Sequence, residues 1–236
     1  KLRPGEFGVM HGYMKIPELK KVCHEMGVSI NEYLVGVYIW SVYTECLHGM
    51  PSKCPIRVAV PVNLRPYFNS ITTKNFFVMV SAEFHPTKET YTFAEVLEIV
   101  KESLRKQINR ENLEKLFSYN VSNEKLLIAR VVPLFLKNLA MKYVYTTSAL
   151  ANTATITNIG NISVAEEYRP YVEIFHAFLA MSKGQHLKGT ICSYGDTLVF
   201  SFSYDLVDAS VQRGFFRKIA SDGIAVEIKS NGVNYE

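Results

Sequence analysis

A tyrosine and an aspartate four residues apart stand where a predicted strand passes into the last predicted helix, in Tyr204-Asp205-Leu206-Val207-Asp208. A histidine at the first of these positions would be a general base that a carboxylate could orient. The phenol of Tyr204 cannot take that role under ordinary conditions, because its reference pKa is about 10 and burial makes it ionise less readily still. Asp208 stands at the helix start, where a carboxylate accepts free backbone N–H groups. The segment therefore predicts a packed tyrosine and a helix cap, with no catalytic residue.

The six histidines do not replace the missing base. His85 has an acidic residue four positions on, Glu89, but the pair falls in a Pro-Thr-Lys loop segment that predicts an ordinary surface histidine. His176 lies in an apolar stretch and is interpreted as a core histidine with satisfied hydrogen bonds. The others have no acidic residue at that spacing: His11, His24, His48 and His186.

The composition indicates a globular chain and excludes several classes of function. The 236 residues are 48% hydrophobic and 12% aromatic, which is enough for a large core. The net charge of +4 comes from scattered lysines and arginines and argues against nucleic-acid binding. The four cysteines lack C-x-x-C spacing, so we expect reduced thiols in a cytoplasmic protein and no metal site. The longest uncharged stretch, residues 143–165, is too polar for a membrane span, and Walker, nucleophile-elbow and Rossmann motifs do not occur.

Two capping boxes, Ser29-x-x-Glu32 and Thr92-x-x-Glu95, predict helices that begin near residues 30 and 93. The first helix is apolar nearly all round and is predicted to run, buried on several sides, to about residue 49. The second is amphipathic, as expected for a helix that lies on a sheet. The other helix predictions cover residues 17–26, a region between 122 and about 143 that Pro133 should break, and a last helix from about 209.

Alternating apolar and polar residues predict the strands, and Gly195-Asp196 predicts a two-residue hairpin turn. In the strand after this turn, Tyr204 shares one face with two phenylalanines and is predicted to be buried with them. Without a repeat or a Gly/Ser linker, residues 1–236 are predicted to form a single domain. The predicted fold class is α/β, a two-layer sandwich of a mixed β-sheet with helices packed on one face. The predicted strands cover residues 8–14, 56–62, 75–84, 153–159, 174–181, 189–194, 197–204 and 224–228.

Five segments spread over nearly the whole chain carry a family resemblance. They are VAVPVNLRP (58–66), KNFFV (74–78), VPLFLKN (132–138), ATITNIG (154–160) and SYGDTL (193–198). In this order they resemble the C-terminal half of the two-lobed HxxxD acyltransferases, a group with the chloramphenicol acetyltransferase-like fold. The group includes alcohol O-acetyltransferases, polyketide-associated acyltransferases and peptide-synthetase condensation domains. The fourth segment is also similar to the T-I-S-N-x-G strand of dihydrolipoyl acyltransferases, which carry H-R-x-x-D where this chain has residues 204–208.

The resemblance implies a division of labour between two lobes. In that family the working H-x-x-x-D belongs to the N-terminal lobe, and the second lobe forms the far wall of a substrate tunnel. The implied reaction is transfer of an acyl group, acetyl above all, from acyl-CoA or a carrier-bound thioester to an alcohol or amine. The implied partner is an N-terminal lobe with the catalytic histidine. We interpret the start at Lys1, without methionine, as a start within a longer protein or as the result of processing.

Four residues are candidates for the substrate channel. Arg65 ends a predicted strand before Pro66, which should hold the local chain extended. Two interactions of its guanidinium are open: one with a carboxylate across a lobe interface, and one in a local ion pair. The resemblance implies that Arg65 organises the channel. Asn63 and Asn75 bond either backbone or substrate carbonyls. Asn158 belongs to an Asn-x-Gly turn, in which glycine accepts unusual backbone angles.

A non-catalytic module is the alternative hypothesis. Such a scaffold would use the same fold to hold a carrier protein, a thioester or a partner chain. A trimeric acyltransferase with its active site between subunits is a third hypothesis, but Tyr204 argues against it because such trimers take their base from that position. For a lobe separated from its partner we expect exposed apolar surface and therefore self-association.

Overall fold

The strands of the computed structural model, which describes residues 1–3, 5–125, 132–182 and 184–232, form one seven-stranded mixed sheet. They are Gly8–Lys15 (β1), Ile56–Asn63 (β2), Phe77–Phe84 (β3), Ala154–Asn161 (β4), Leu187–Tyr194 (β5), Thr197–Tyr204 (β6) and Val226–Ser230 (β7). Their order across the sheet is β3-β2-β4-β5-β6-β1-β7. The α/β class with a mixed sheet is confirmed.

The helices of the described residues are Ile16–Glu25 (α1), Ile30–Glu45 (α2), Arg65–Phe68 (α3), Phe93–Gln107 (α4), Arg110–Lys125 (α5), Leu134–Leu150 (α6) and Ser210–Ser221 (α7), with a 3-10 helix over Glu166–Tyr171. The second layer is formed by α1, α2, α4, α5 and α7, which contact the strands, whereas α6 is largely exposed. The apolar helix α2 packs between α4 and α7 and also contacts β2, which explains why it is buried on several sides.

The direction of each strand decides which chain segments meet at each end of the sheet. The strands β2, β4 and β5 are parallel, so their carboxyl ends lie at one end. At that end Gly195, with φ of +57°, turns the chain into β6, which runs antiparallel to β5. The strand β6 therefore ends, at Tyr204, at the opposite end of the sheet.

One side of the sheet, the helix face, is sealed by aromatic side chains. The ring of Phe202 lies 5.1 Å from Phe215 and 5.6 Å from Phe216 of α7, and 6.2 Å from Tyr38 of α2. At Gly12 on β1, a Cβ atom would lie 2.1 Å from the Phe216 ring, so only glycine lets this ring approach the sheet. Burying one phenylalanine contributes about 1.5–3 kcal/mol, so this cluster is a major part of the core.

Both predicted capping boxes are confirmed. In α2 the Ser29 hydroxyl accepts from Glu32 N at 3.2 Å, and the Glu32 carboxylate accepts from Ser29 N at 2.7 Å. Thr92 and Glu95 make the same pair of bonds in α4. The helix α2 ends at Glu45, four residues earlier than predicted, because the chain turns through a left-handed conformation at residues 48 and 49.

The strand predicted over residues 174–181 is wrong. Residues 172–181, here called the crossing segment, contain no regular secondary structure. They cross the side of the sheet opposite the helices, the outer face, where Cys192 Sγ contacts Phe175 O at 3.2 Å and Lys188 Nζ donates to Ala180 O at 2.8 Å. The segment has the alternation of a strand, but β5 already pairs with β4 and β6 and offers it no free edge.

Two further predictions need correction, and both concern the chain after β2. The sequence predicted an extended chain at Arg65, but Arg65–Phe68 form a helical turn in which Pro66 is tolerated because first-turn N–H groups need no helical partner. The next strand begins at Phe77 rather than Asn75. Farther along, α6 begins directly after Pro133, as the predicted break requires, but extends to Leu150; residues 126–131 of this region lie outside the described residues.

Candidate functional site

Tyr204, at the position of the missing base, is a core residue. Its side chain is 3% exposed, and it pairs with Gly8 of β1. A Cβ atom at Gly8 would lie 2.1 Å from the Tyr204 ring, so the phenol fills the space that the glycine leaves. Burial raises the pKa of Tyr204, which keeps the phenol neutral.

Asp208 serves the start of the last helix. Its carboxylate accepts hydrogen bonds from Ser210 N at 2.9 Å and from Ser210 Oγ at 3.0 Å. The helix α7 begins at Ser210, and Ala209 at the N-cap has no side chain that could bond there. Asp208, one position before the N-cap, therefore caps the helix in place of Ala209. Neither Asp208 nor Tyr204 is placed to act as a base.

A histidine–aspartate pair that sequence reasoning missed lies beside this junction. His186 Nδ1 lies 2.9 Å and 3.1 Å from the two carboxylate oxygens of Asp205, with side chains 36% and 29% exposed. A bond at Nδ1 fixes the orientation of the ring and leaves Nε2 for another partner. The two-residue turn at residues 195–196 could have predicted this pair. Such a hairpin pairs residues that are equally far from the turn on either side, and His186 and Asp205 are both nine residues from it.

Arg65 holds the loop between β2 and β3. Its Nε donates to Thr72 O at 2.8 Å, Nη2 to Lys74 O at 2.7 Å, and Nη1 to Asn63 Oδ1 at 3.1 Å. Asn63 Oδ1 also accepts from Arg65 N at 3.1 Å. Among the described residues Arg65 takes part in no ion pair, so the local ion pair is not present there, and a carboxylate across a lobe interface stays a prediction. The guanidinium fixes the path of residues 69–76 by binding their carbonyl groups.

Asn158 shapes the end of β4. Its Oδ1 accepts from Gly160 N at 2.8 Å, and Gly160 has φ of +87°, so the predicted turn at Asn-x-Gly is a bulge in the pairing with β5. Asn158 also lines a cavity of about 370 Å³ with Lys20 and Ser193. Bulges of this kind redirect side chains near binding sites. Asn75 is exposed in the loop before β3.

The sheet separates the predicted residues into two groups. Asn63, Arg65, Asn75 and Asn158 lie toward the end of the sheet where the parallel strands finish, which is where open α/β sheets bind ligands. Tyr204 finishes a strand at the other end, beside the residues of the histidine–aspartate pair. At about 3.3 Å per residue and 4.8 Å per strand, the two groups are on the order of 20 Å apart. The structure therefore does not bring Tyr204 close to the four candidate residues of the channel.

In the described part of the chain, no three His, Cys, Asp or Glu side chains converge on a position that could hold a metal ion. None of the helices there is long and apolar enough to cross a membrane.

No protein-family model matches the sequence, and no curated protein does so either. Solved structures are similar to it. TRI101 from F. sporotrichioides, complexed with coenzyme A and T-2, has a TM-score of 0.61 and 11% identity, over 97% of this chain and 52% of that one. The nonribosomal peptide synthetase FmoA3 has a TM-score of 0.60 and 17% identity, over 92% of this chain and 22% of that one. Polyketide synthase associated protein 5 from Mycobacterium tuberculosis has a TM-score of 0.56 and 12% identity, over 93% of this chain and 52% of that one.

The chain spans about half or less of the length of each of these proteins. At identities below 20% the likeness establishes the fold and not the activity. The chain shares its fold with these proteins, in agreement with the predicted chloramphenicol acetyltransferase-like fold class.

Proposed function

We propose that this chain is the C-terminal lobe of a two-lobed acyltransferase. The enzyme would transfer an acyl group, acetyl above all, from acyl-CoA or a carrier-bound thioester to an alcohol or amine. One observation carries the proposal: in an acyl-transfer fold, the position of the base holds the buried, neutral phenol of Tyr204. A lobe without its own base fits a protein whose catalytic histidine lies in a preceding lobe.

The chemistry divides between the lobes. The histidine of the other lobe would take the proton of the acceptor hydroxyl or amine as that group attacks the thioester carbonyl, and the thiol would leave with a proton. This chain would supply one wall of the channel, with Arg65 as a positioning residue that keeps the loop at residues 69–76 in place. Residues 1–236 would form this lobe as a single domain. Because the four cysteines are free, we place the enzyme in the cytoplasm.

The test starts from the natural reading frame that contains this chain. The full-length protein is expected to release thiol from acetyl-CoA and to acylate members of a panel of alcohols and amines. Residues 1–236 alone are expected to show no turnover. Acetyl transfer by residues 1–236, abolished by a substitution within them, would overturn the proposal. A full-length protein that binds a carrier protein or partner chain but has no turnover would support the scaffold alternative.

Within the full-length enzyme, Arg65→Gln tests the channel assignment. Loss of the bonds to Thr72 and Lys74 should displace the loop and lower kcat/KM roughly tenfold to a hundredfold, because small misplacements near a reacting centre are costly. Arg57→Gln is the matched control, since Arg57 lies on β2, the strand that precedes Arg65, and pairs with Glu83 at 2.9 Å. Equal losses of kcat/KM in both variants would mean that Arg65 has no specific role in the channel.

A further inference from the structure

Two histidines face each other where the crossing segment meets the outer face of the sheet; His11 is partly buried and His176 is exposed. The rings of His11 on β1 and His176 in the crossing segment have centroids 4.5 Å apart. His11 Nδ1 lies 2.7 Å from Ser201 Oγ, and His176 Nε2 lies 2.7 Å from Tyr13 Oη. Each ring is thus hydrogen-bonded to the sheet, and together they join the crossing segment to β1 and β6.

The crossing segment has few other attachments. Its carbonyl groups at residues 175 and 180 bond the side chains of Cys192 and Lys188, and Phe178 contacts Phe7 while remaining 50% exposed. The segment forms no helix or strand itself, and its first residue, Val172, donates its N–H to Arg169 O of the preceding 3-10 helix. Segments with few buried apolar contacts open at a lower free energy than the core.

The surface beneath the crossing segment is polar. Thr190 and Ser203 are 2% and 0% exposed, and among the described residues their hydroxyl oxygens have no hydrogen-bond partner. The adjacent Lys188 is 9% exposed. Buried polar groups without partners regain hydrogen bonds when water reaches them, so part of the cost of lifting the segment is returned by hydration.

The charges around the histidines nearly balance at neutral pH. Lys229 of β7 lies 5.1 Å above the Tyr13 ring, and it lines a cavity of about 660 Å³ with Lys15, Glu173 and Glu227. Two ammonium groups therefore face two carboxylates there, and Lys188 of β5 lies farther along the segment. The phenol of Tyr13, whose pKa is raised by burial, stays neutral. Histidine is the side chain whose charge ordinarily changes between pH 5 and 8.

We propose that residues 172–181 form a pH-controlled cover that closes over the outer face at neutral pH and lifts in acid, when the imidazole of His11 becomes charged. Burial beside the His176 ring disfavours the charged form of His11, and lifting the segment gives that charge access to water. The inference does not depend on the catalytic proposal, since it concerns access to a surface and not the reaction.

The direction of the effect follows from proton binding. Burial, with a smaller contribution from His176, lowers the pKa of His11 from its ordinary 6.5. Above that value the open and closed forms are both neutral, and the closed form keeps its full stability. As the pH falls through 6.5 the open form binds the proton first, so opening becomes more favourable, by at most about tenfold per pH unit for one proton.

Cys192 provides the readout in the intact natural protein. It is fully buried under the crossing segment, whereas Cys23, 3% exposed, lies in α1 on the other side of the sheet. A disulfide reagent that reacts in acid, such as 4,4′-dithiodipyridine, labels each thiol, and mass spectrometry locates the label. Each rate is divided by the rate of the same thiol in denatured protein at the same pH. The Cys192 rate is expected to rise severalfold between pH 7.5 and 5.5 while the Cys23 rate stays constant.

A substitution assigns the effect to His11. His11→Gln should flatten the pH dependence of Cys192 labelling, and His24→Gln, on the exposed side of α1, should leave it as in the wild type. A Cys192 rate that is independent of pH in the wild type, or one that rises as steeply in His11→Gln as in the wild type, would overturn the proposal. So would a parallel rise at Cys23, because that pattern means global unfolding.

Discussion

The two faces of the sheet are built by the same strands and differ in almost every physical property. On the helix face, Phe200, Phe202 and Phe215 are fully buried and contact one another. On the outer face of the same strand, Ser201 and Ser203 are equally buried, but under a segment without regular structure. Alternation along one strand thus gives a face that defines the fold and a face that is left for other contacts.

The outer face is itself divided. The crossing segment covers the side formed by β5, β6 and β1, whereas on the other side Phe77, Met79 and Ile159 remain 48%, 46% and 54% exposed. The helix α6 adds further exposed apolar side chains, among them Leu134, Phe135, Leu139 and Tyr143. Self-association of the isolated lobe stays a prediction, and size-exclusion chromatography over a range of concentrations tests it.

The largest expected effect comes from truncating one phenylalanine on each face. Phe202→Ala should lower the free energy of unfolding by about 3–5 kcal/mol, because it leaves a cavity among fully buried rings. Phe178→Ala in the half-exposed crossing segment should cost less than about 1 kcal/mol. Urea unfolding of both variants measures the difference. Equal losses would mean that the outer face is as much a part of the core as the helix face.

An intermediate effect comes from two acidic residues in pairs of different burial. Asp222 accepts from Tyr33 Oη at 2.8 Å and pairs with Lys218, with the ion-pair side chains 11% and 18% exposed. Asp222→Ala should cost about 3 kcal/mol, since it leaves a largely buried ammonium without its partner. Asp205→Ala, which breaks the pair with His186, should cost at most about 1 kcal/mol, because both side chains are about a third exposed and solvent screens them. The comparison fails if Asp205→Ala is the more destabilising change.

The smallest expected effect concerns acid, which should act on the two faces of the sheet in different pH ranges. Glu32 accepts from Arg105 Nε at 2.7 Å; burial acts to raise its pKa, but the hydrogen bonds from Arg105 and Ser29 bring it below the ordinary 4.5. Its contribution is therefore present above pH 4.5 and is lost as the pH falls through the lowered pKa. Glu32→Gln should cost about 1–2 kcal/mol at pH 7, with the difference from wild type shrinking in stronger acid.

Glu98→Gln is the control for that prediction, because Glu98 pairs with Lys101 on the surface of α4 and is 54% exposed. It should change stability little at any pH. The stability contributed by Glu32 in the helix layer would then fall only below about pH 4.5, whereas the labelling rate of Cys192 under the cover would begin to rise as the pH falls through 6.5. A loss at Glu32 that follows the same pH dependence as the cover would contradict the separation of the two faces.

The sequence predicted most of the sheet and much of the helix layer, because local signals carry them. The capping boxes placed the starts of α2 and α4, and Gly195-Asp196 placed the last hairpin. The burial of Tyr204 followed from alternation along one strand. The beginning of α5 at Arg110 was not predicted, since its cap uses Asn109 and Asn112 without a capping box.

The candidate site was predicted less completely, because its contacts join distant residues. Arg65 was identified, but its partners at Thr72 and Lys74 depend on the path of a loop that no local pattern gives. The pair of His186 and Asp205 escaped a search for acidic residues at fixed spacing, although the hairpin register contained it.

The sequence by itself determined that this chain has an α/β fold with a mixed sheet and that position 204 holds a tyrosine and not a histidine, because residue types, caps and alternation are local properties. The tertiary structure decided what residues 172–181 do. Their alternation is that of a strand, but pairing needs a free edge, and β5 already has a neighbour on each side. The segment therefore lies across the outer face, where it brings His176 to His11, 165 positions away in the chain.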